Sequence, residues 1–502
     1  MKPNKLALKS IDLGNEASDD VDPDDIATYF YEQESFRRFL LANSRVSVAT
    51  GKKGVGKSAL IRWIEHEIQN SHPDDVIIRC RGADLARGRF KLGPLGATPN
   101  DRIHDWMVRL CTLANRELGN TIGFAFSDDN MARVEAAELS GFKSKNLVGS
   151  LIARFGQMIP GKGPAPAKVG DQAALLKRYS GSRFWFLIDD LDATFQNTKE
   201  ELLELSTFFS AIRYITQDVK GVNFRVTLRT DVWPLIRRYD ESLNKVEQYV
   251  REIDWDQAGF VGILEKRVQT QLHGNDASLL ADAASHTPYL DLFVVERMEW
   301  SQREVHSGQV IYTISYRRPR WGIQLLKLGQ AQAIERGHPR ITKGDIDEVW
   351  GEYGTMRIAD LVAEHKHQCP QIEDLVFSFR GCDRLMNRDK LFDWINKRVI
   401  PHARPMIEGN YARSAKEVAR FMYRVGFILA RSDSQPDGHG LRTYEHYSFD
   451  EMPDLLSTTT DEDFNLAFEI HPCYREALDI KKVDRSHRAR RGDRRSDPGR
   501  NP

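Results

Sequence analysis

The chain has 502 residues, 41% of them hydrophobic and 29% charged, a composition of ordinary folded proteins and a length that suggests about two to four domains. Lysine plus arginine equals aspartate plus glutamate at 72 each, which excludes a global field directed at nucleic acid. No apolar run approaches the ~18 residues of a membrane span, and the first twenty residues lack the apolar core of a secretory signal, so a cytoplasmic protein without a membrane partner is expected.

Residues 1–22 read as an acidic, flexible lead. A helical stretch then opens at Pro23 and runs through Tyr29, Phe30, Tyr31, Phe36 and Phe39; its aromatics read as core, with lining of a base pocket as the alternative. Val46 to Ala49 has the pattern of a short buried strand, and Ala59 to Ile64 starts a helix with Leu60, Ile61 and Ile64 on one face. Between them stands Gly51-Lys52-Lys53-Gly54-Val55-Gly56-Lys57-Ser58, a full match to G-x-x-x-x-G-K-[ST]. Gly51, Gly54 and Gly56 let the backbone of the loop, Val55 and Ala59 included, turn its N–H groups onto a polyphosphate at the positive end of the next helix. Lys57 would add a charge on the outer phosphates, and Ser58 a hydroxyl to Mg2+.

Val76 to Arg81 completes a first strand-helix-strand unit. Residues from about 100 to 170 read as a mainly helical insertion containing a Pro/Gly-rich loop, Gly156 to Ala167, and a short helix from Asp171 to Tyr179 leads back to the sheet. The run Phe184-Trp185-Phe186-Leu187-Ile188 has the length and continuous apolarity of a central parallel strand, and it ends in Asp189-Asp190-Leu191-Asp192. Acidic residues at the carboxyl end of such a strand emerge beside the phosphate loop. Asp189 is thus the expected Mg2+ ligand, and Asp190 the residue that orients and deprotonates water. Lys199 to Val219 forms an amphipathic helix, and the next strand, from Asn223, ends in Thr227, Arg229 and Thr230 at the same edge. Arg229 reads either as a sensor of the terminal phosphate or as an ion-pair residue. A last strand is expected from Val250 to Trp255 and a helix from Asp256 to Leu272. The run Arg317-Arg318-Pro319-Arg320 opens another helix with proline in its first turn, placing Arg318 and Arg320 against the helix dipole, where an anion would explain them.

With these motifs the chain resembles P-loop ATPases of the AAA+ and STAND group, in particular bacterial relatives of the archaeal origin-binding ATPases. These have about this length, carry a C-terminal winged helix and are often encoded in mobile or antiviral loci. The resemblance spans roughly Asp22 to Leu478. It implies ATP and Mg2+ as ligands, Lys57, Ser58, Asp189 and Asp190 as functional residues, Arg229 as sensor and Arg318 or Arg320 as lid arginine. The expected fold is α/β: a P-loop parallel sheet over 23–255 with a helical insertion, a helical lid over 256–366, a winged helix over 367–480 and a basic tail over 481–502. No arginine finger can be assigned.

In the C-terminal part, helices are expected over Ile341 to His365, Gln371 to Phe379, Lys390 to Ile400 and Ser414 to Val425. A hairpin follows, from Phe427 to Phe449, with a turn-rich tip at Pro436 to Gly440. Arg413, Lys416, Arg420 and Arg424 share the polar side of the last helix, with Arg431 and Arg442 on the hairpin. They fit contact with duplex DNA, or a winged helix that only packs as part of a switch. The five cysteines form no C-x-x-C pair and are expected as reduced thiols, and Glu364 to Cys369 reads as a solvated helix end rather than a metal site. Two functions follow. One is an ATP-dependent switch that assembles with copies of itself or with an effector protein, with antiviral defence as one setting. The other is an ATP-dependent initiator or loader that binds DNA. No nuclease, protease, TIR or kinase signature stands out.

Overall fold

Val46–Thr50 consists of β-branched and small residues, all five buried, and it is the strand β1 on which the nucleotide loop is mounted. In the computed structural model, which describes residues 8–16, 21–87, 98–121, 183–193, 195, 197–218, 221–239, 241–273, 289–300, 303–433, 444–457 and 466–481, the chain divides into two compact units, Met1–Lys327 and Leu328–Pro502.

The first unit is an α/β fold around a five-stranded sheet. Its strands are β1, β2 (Val76–Arg81), β3 (Phe184–Asp189), β4 (Val222–Leu228) and β5 (Val250–Glu252), in the order β2-β3-β4-β1-β5. Every pairing is parallel, with Thr50 opposite Leu228, Ile188 opposite Val226 and Arg81 opposite Asp189, so the ends of β1, β3 and β4 share one edge. β3 and β4 are apolar throughout because helices cover both faces. Phe186 stacks on Phe224 with ring centroids 4.7 Å apart, and Trp106, on the helix Pro99–Thr121, meets Phe208 on the helix Lys199–Asp218 edge to face. The rest of the expected insertion, to about residue 170, and the helix expected from Asp171 to Tyr179 lie outside the described residues.

Arg225 of β4 is fully buried beneath this sheet, where an apolar residue would be expected. Its guanidinium donates to the carbonyls of Phe39, Leu41, Ser44 and Phe224 and lies 4.7 Å from the centre of the Trp185 ring. No carboxylate accompanies it in these contacts, and burial pushes its pKa down to about 9. The side chain thus fixes the segment that leads from Phe39 into β1.

Two elements escape a reading by periodicity. The lead is packed, not loose, over part of its length: Leu8, Ile11 and Leu13 are buried, and Arg267 donates to the carbonyls of Leu13 and Asn15. A hairpin of β6 (Arg297–Trp300) and β7 (Arg303–His306) precedes the helix Ser307–Ile314.

The boundary between the units falls inside the helix Pro319–Glu335. In the second unit, Thr342 and Asp345 form a reciprocal cap at the start of the helix Lys343–His365. Cys369 and Cys382 are buried, their pKa values pushed up to about 11 and about 12, as expected of unreactive thiols. His365, expected at a solvated helix end, is buried, and no metal-binding group occurs among the described residues. The helix Arg388–Trp394 continues through a π turn to Ala403, and a small ribbon of β9 (Met406–Ile407) and β10 (Asn410–Tyr411) precedes the helix Ala415–Arg424. The expected hairpin of β11 (Ile428–Asp433) and β12 (Tyr444–Tyr447) belongs to a larger antiparallel sheet, completed by β13 (Ala467–Ile470) and β8 (Leu385–Asn387) in the order β12-β11-β13-β8. The hairpin tip with Arg442 and the basic tail from residue 482 lie outside the described residues.

Candidate active site

The loop Gly51–Ser58 turns from β1 into the helix Lys57–Ser71, with Gly54 at φ 83° and Gly56 at φ 104°, both in the left-handed region that favours glycine. Gly51 is constrained by space: a Cβ there would sit 2.6 Å from Val55 Cγ2. Lys57 is only 7% exposed and folds back so that Nζ donates to the carbonyls of Gly51 at 3.0 Å and Lys52 at 3.2 Å. Two outward carbonyls of the loop are capped from elsewhere. The Trp255 indole donates to Val55 O at 2.8 Å, and the Arg320 backbone N–H donates to Gly54 O at 3.2 Å.

The acidic turn sits beside the loop because β3 pairs with β4, and β4 with β1. Asp189 Oδ1 accepts from Thr227 Oγ1 at 2.5 Å and from the Asp190 backbone N–H at 3.0 Å. The same N–H also donates to Thr227 Oγ1 at 2.8 Å. Asp190 adopts φ 46°, a left-handed conformation that aspartate tolerates better than most residues. Gly82, just past β2, lets the turn come this close, since a Cβ there would lie 2.2 Å from Leu191 Cα.

These parts meet in a cavity of about 180 Å³ within the first unit. Its lining includes the loop from Lys53 to Ala59, Asp190 and Arg320. The lining also carries aromatic and apolar side chains, among them Tyr29, Tyr31, Phe36, Trp255 and Ile263. The aromatics expected as core therefore face this space as well as packing: Phe30, also on the lining, stacks on Trp63 at 5.0 Å, and Phe36 meets Trp255 edge to face. Gly262 makes room for Tyr31, whose ring would be 2.4 Å from a Cβ at that position.

The predicted site residues separate into two groups. Gly54, Val55, Gly56, Lys57, Ser58, Ala59, Asp190 and Arg320 line one cavity, with Gly51 at the base of the loop and Asp189 bonded to the Asp190 backbone. Arg229 and Arg318 do not line it. Arg229, read as either a sensor or an ion-pair residue, pairs with the buried Asp192 through Nε at 2.7 Å, so it ties the end of β4 to the acidic turn. Arg318 is buried over Trp321 at 4.2 Å and Tyr316 at 5.5 Å, and of the two lid candidates Arg320 is the one at the cavity. The turn that aims it holds Tyr316 at φ 54° and Arg317 at φ 60°, two successive left-handed non-glycine residues that no sequence pattern announces.

Two further residues of the lining, Glu16 and Arg267, were not anticipated. Glu16 reaches it from the lead, held by Gln324 Nε2 and 3.5 Å from Lys327 Nζ. Arg267 stacks over the Tyr29 ring at 4.4 Å, and burial pushes the Tyr29 hydroxyl up in pKa and the Arg267 guanidinium down. Nε of the expected Arg320 is buried and has no hydrogen-bond partner among the described residues, as a group that awaits a polar ligand would.

Comparison with known proteins gives limited overlap. The FunZ-associated C-terminal helical domain family matches residues 265–362. No curated protein matches the chain. Among solved structures, the Aeropyrum pernix ORC2 protein, in ADPNP and ADP complexes, is 10% identical with a TM-score of 0.40, covering 91% of each chain. A Walker-type ATPase of Pyrococcus abyssi is 11% identical with a TM-score of 0.39, over 90% of this chain and 96% of its own. CDC6P from Pyrobaculum aerophilum is 11% identical with a TM-score of 0.30, over 91% and 97% respectively. At such identities and TM-scores these structures carry no argument, and the functional assignment below rests on the residues of this chain.

Proposed function

We propose that the chain binds ATP in the cavity formed by Gly51–Ser58, Asp190 and Arg320 and hydrolyses it. The observation that carries this reading is the convergence of a glycine loop, a lysine, an acidic residue and an arginine in one cavity with an aromatic wall. Each part suits a polyphosphate. The loop N–H groups and Lys57 bind the anion, and Arg320 closes on it from the facing helix. Lys57 already donates to two loop carbonyls, so it reaches a phosphate by exchanging partners rather than by entering from solvent.

Asp190 holds and deprotonates the attacking water, while Thr227 and the Asp190 N–H fix the rotamer of Asp189. Ser58 and Asp189 suit Mg2+, which when bound neutralises charge developing on the phosphates. Asp189 Oδ2 is the oxygen left over for such a role, because Oδ1 already accepts two donors.

Hydrolysis in this reading serves as a switch. The terminal phosphate contributes contacts to Arg320 that the diphosphate lacks, and a difference of that kind is what biases two conformations. Assembly with further copies or with an effector protein, in an antiviral setting, is the role that the sequence resemblance implies. DNA binding is the weaker alternative: Arg424 pairs with Glu408 at 2.8 Å and Arg431 with Glu469 and Asp433, so two of the expected phosphate-contacting residues are already engaged.

The test is phosphate release and ATP binding in three chains. Lys57→Ala is expected to weaken binding, and Asp190→Asn to retain binding while losing turnover. Unchanged hydrolysis in both variants would sink the assignment.

A further inference from the structure

The cavity wall carries a carboxylate that phosphate binding does not call for. A negative side chain beside a polyphosphate is repulsive, so Glu16 needs another explanation. Two helices show how far it is held from the loop. On Pro319–Glu335, Arg320 touches Gly54, whereas Gln324 and Lys327 hold Glu16 about 6 to 10 Å further along at the helical rise. On Gln257–His273, Gly259 lies against Trp255 near the loop, and Arg267, about 12 Å further along, anchors the lead through Leu13 and Asn15. Both helices thus run from the phosphate end of the cavity to Glu16, with Tyr31, Ile263 and Ile323 lining the space.

The position is firmly built. Leu8, Ile11 and Leu13 bury the lead, and Glu16 Oε2 accepts from Gln324, a residue only 7% exposed. The Glu16 carboxylate therefore stands on the lining where a flat ring would rest against aromatic and aliphatic side chains. An exocyclic amino group offers N–H donors to such an acceptor. A keto oxygen at the same ring position offers only lone pairs and would be repelled.

Building on the proposed nucleotide site, we propose that Glu16, set by Gln324 and by the packed lead, determines base specificity by accepting from the 6-amino group of adenine. Selectivity for ATP is thereby carried by a segment outside the phosphate-binding fold.

The test measures binding of ATP, ITP and GTP to the full chain carrying Asp190→Asn, which prevents turnover, with and without Glu16→Ala and Glu16→Gln. ITP differs from ATP in having oxygen for the 6-amino group. Preference for ATP over ITP is expected at roughly 10- to 100-fold, the worth of a hydrogen bond to a charged acceptor. Glu16→Ala should collapse it to within about threefold by weakening ATP alone, and Glu16→Gln, which keeps an acceptor oxygen, should retain part of it. Because ITP binding reports on the same folded site, its persistence in Glu16→Ala separates lost recognition from lost structure. An ATP-to-ITP ratio unmoved by Glu16→Ala, or a wild-type preference for GTP, overturns the inference and leaves the nucleotide site standing. Failure of the parent chain to bind any of the three overturns both.

Discussion

Thr227 Oγ1 donates to Asp189 Oδ1 at 2.5 Å and, on its other side, accepts the Asp190 backbone N–H. A hydroxyl has one proton, and here it is committed to Asp189. That oxygen also accepts the Asp190 N–H, so Oδ2 is the oxygen left to act. Thr227→Val preserves the shape and removes both bonds. We expect turnover to fall about 10- to 100-fold, in line with loss of one or two positioning hydrogen bonds, while ATP affinity changes little. Steady-state hydrolysis alongside equilibrium binding tests this, and equal loss of both would assign Thr227 to binding.

Arg320 and Arg318 stand two residues apart and should behave differently. Arg320→Ala keeps the backbone N–H to Gly54 and removes the side chain from the cavity, so nucleotide affinity should drop with melting temperature nearly unchanged. Arg318→Ala empties a buried stack on Trp321 and should cost about 2 kcal/mol of stability, chiefly as lost packing. Thermal melting with and without ATP distinguishes the two patterns.

Arg225→Ala should be among the most destabilising single changes in the first unit. It leaves the carbonyls of Phe39, Leu41 and Ser44 without their donor inside the fold, at a cost of about 3 kcal/mol or more. Urea unfolding gives the number. A cost under about 1 kcal/mol would mean that water replaces the guanidinium.

In the second unit, Glu469 is fully buried and accepts from Arg431, Arg475 and His446, with Arg384 4.0 Å away. Burial alone would raise its pKa, but His446, Arg475 and Arg384 together hold it below the ordinary glutamate range. A depressed folded value stabilises the protein above the unfolded pKa, and that stability is lost as pH falls through the folded one. Glu469→Gln is therefore expected to destabilise by about 3 kcal/mol or more at neutral pH. The gap from wild type should begin to close only below the usual glutamate pKa. A gap independent of pH down to strong acid would contradict the linkage.

The parts of the site that depend on local order were legible in the sequence, and those that depend on tertiary approach were not. Gly51–Ser58 and Asp189-Asp190 announce themselves because loop curvature and a two-sided buried strand each impose a residue pattern. β1, β3 and β4 were readable for the same reason, as were the helices at Lys57, Lys199 and Ala415. Glu16 was invisible because its lead resembles any acidic, solvated terminus, and its place is set by Arg267 and Gln324 over 250 residues away or more. The strand-end position of Arg229 left a sensor and an ion-pair residue equally open, and only the tertiary structure shows its pairing with the buried Asp192. β13 and β8 were missed because each is three or four residues long and pairs with a strand distant in sequence.

The bond from the Trp255 indole to Val55 O also makes the loop observable by light. The chain has nine tryptophans, but this one hydrogen-bonds directly to the glycine loop while its ring faces the cavity. Its emission depends on that hydrogen bond and on the polarity of the space in front of it. A filled cavity should displace water from the ring and shift emission to the blue, and Trp255→Phe should abolish the shift. The chain thus carries an intrinsic optical reporter of its own occupancy, placed where no dye could be attached without disturbing the loop.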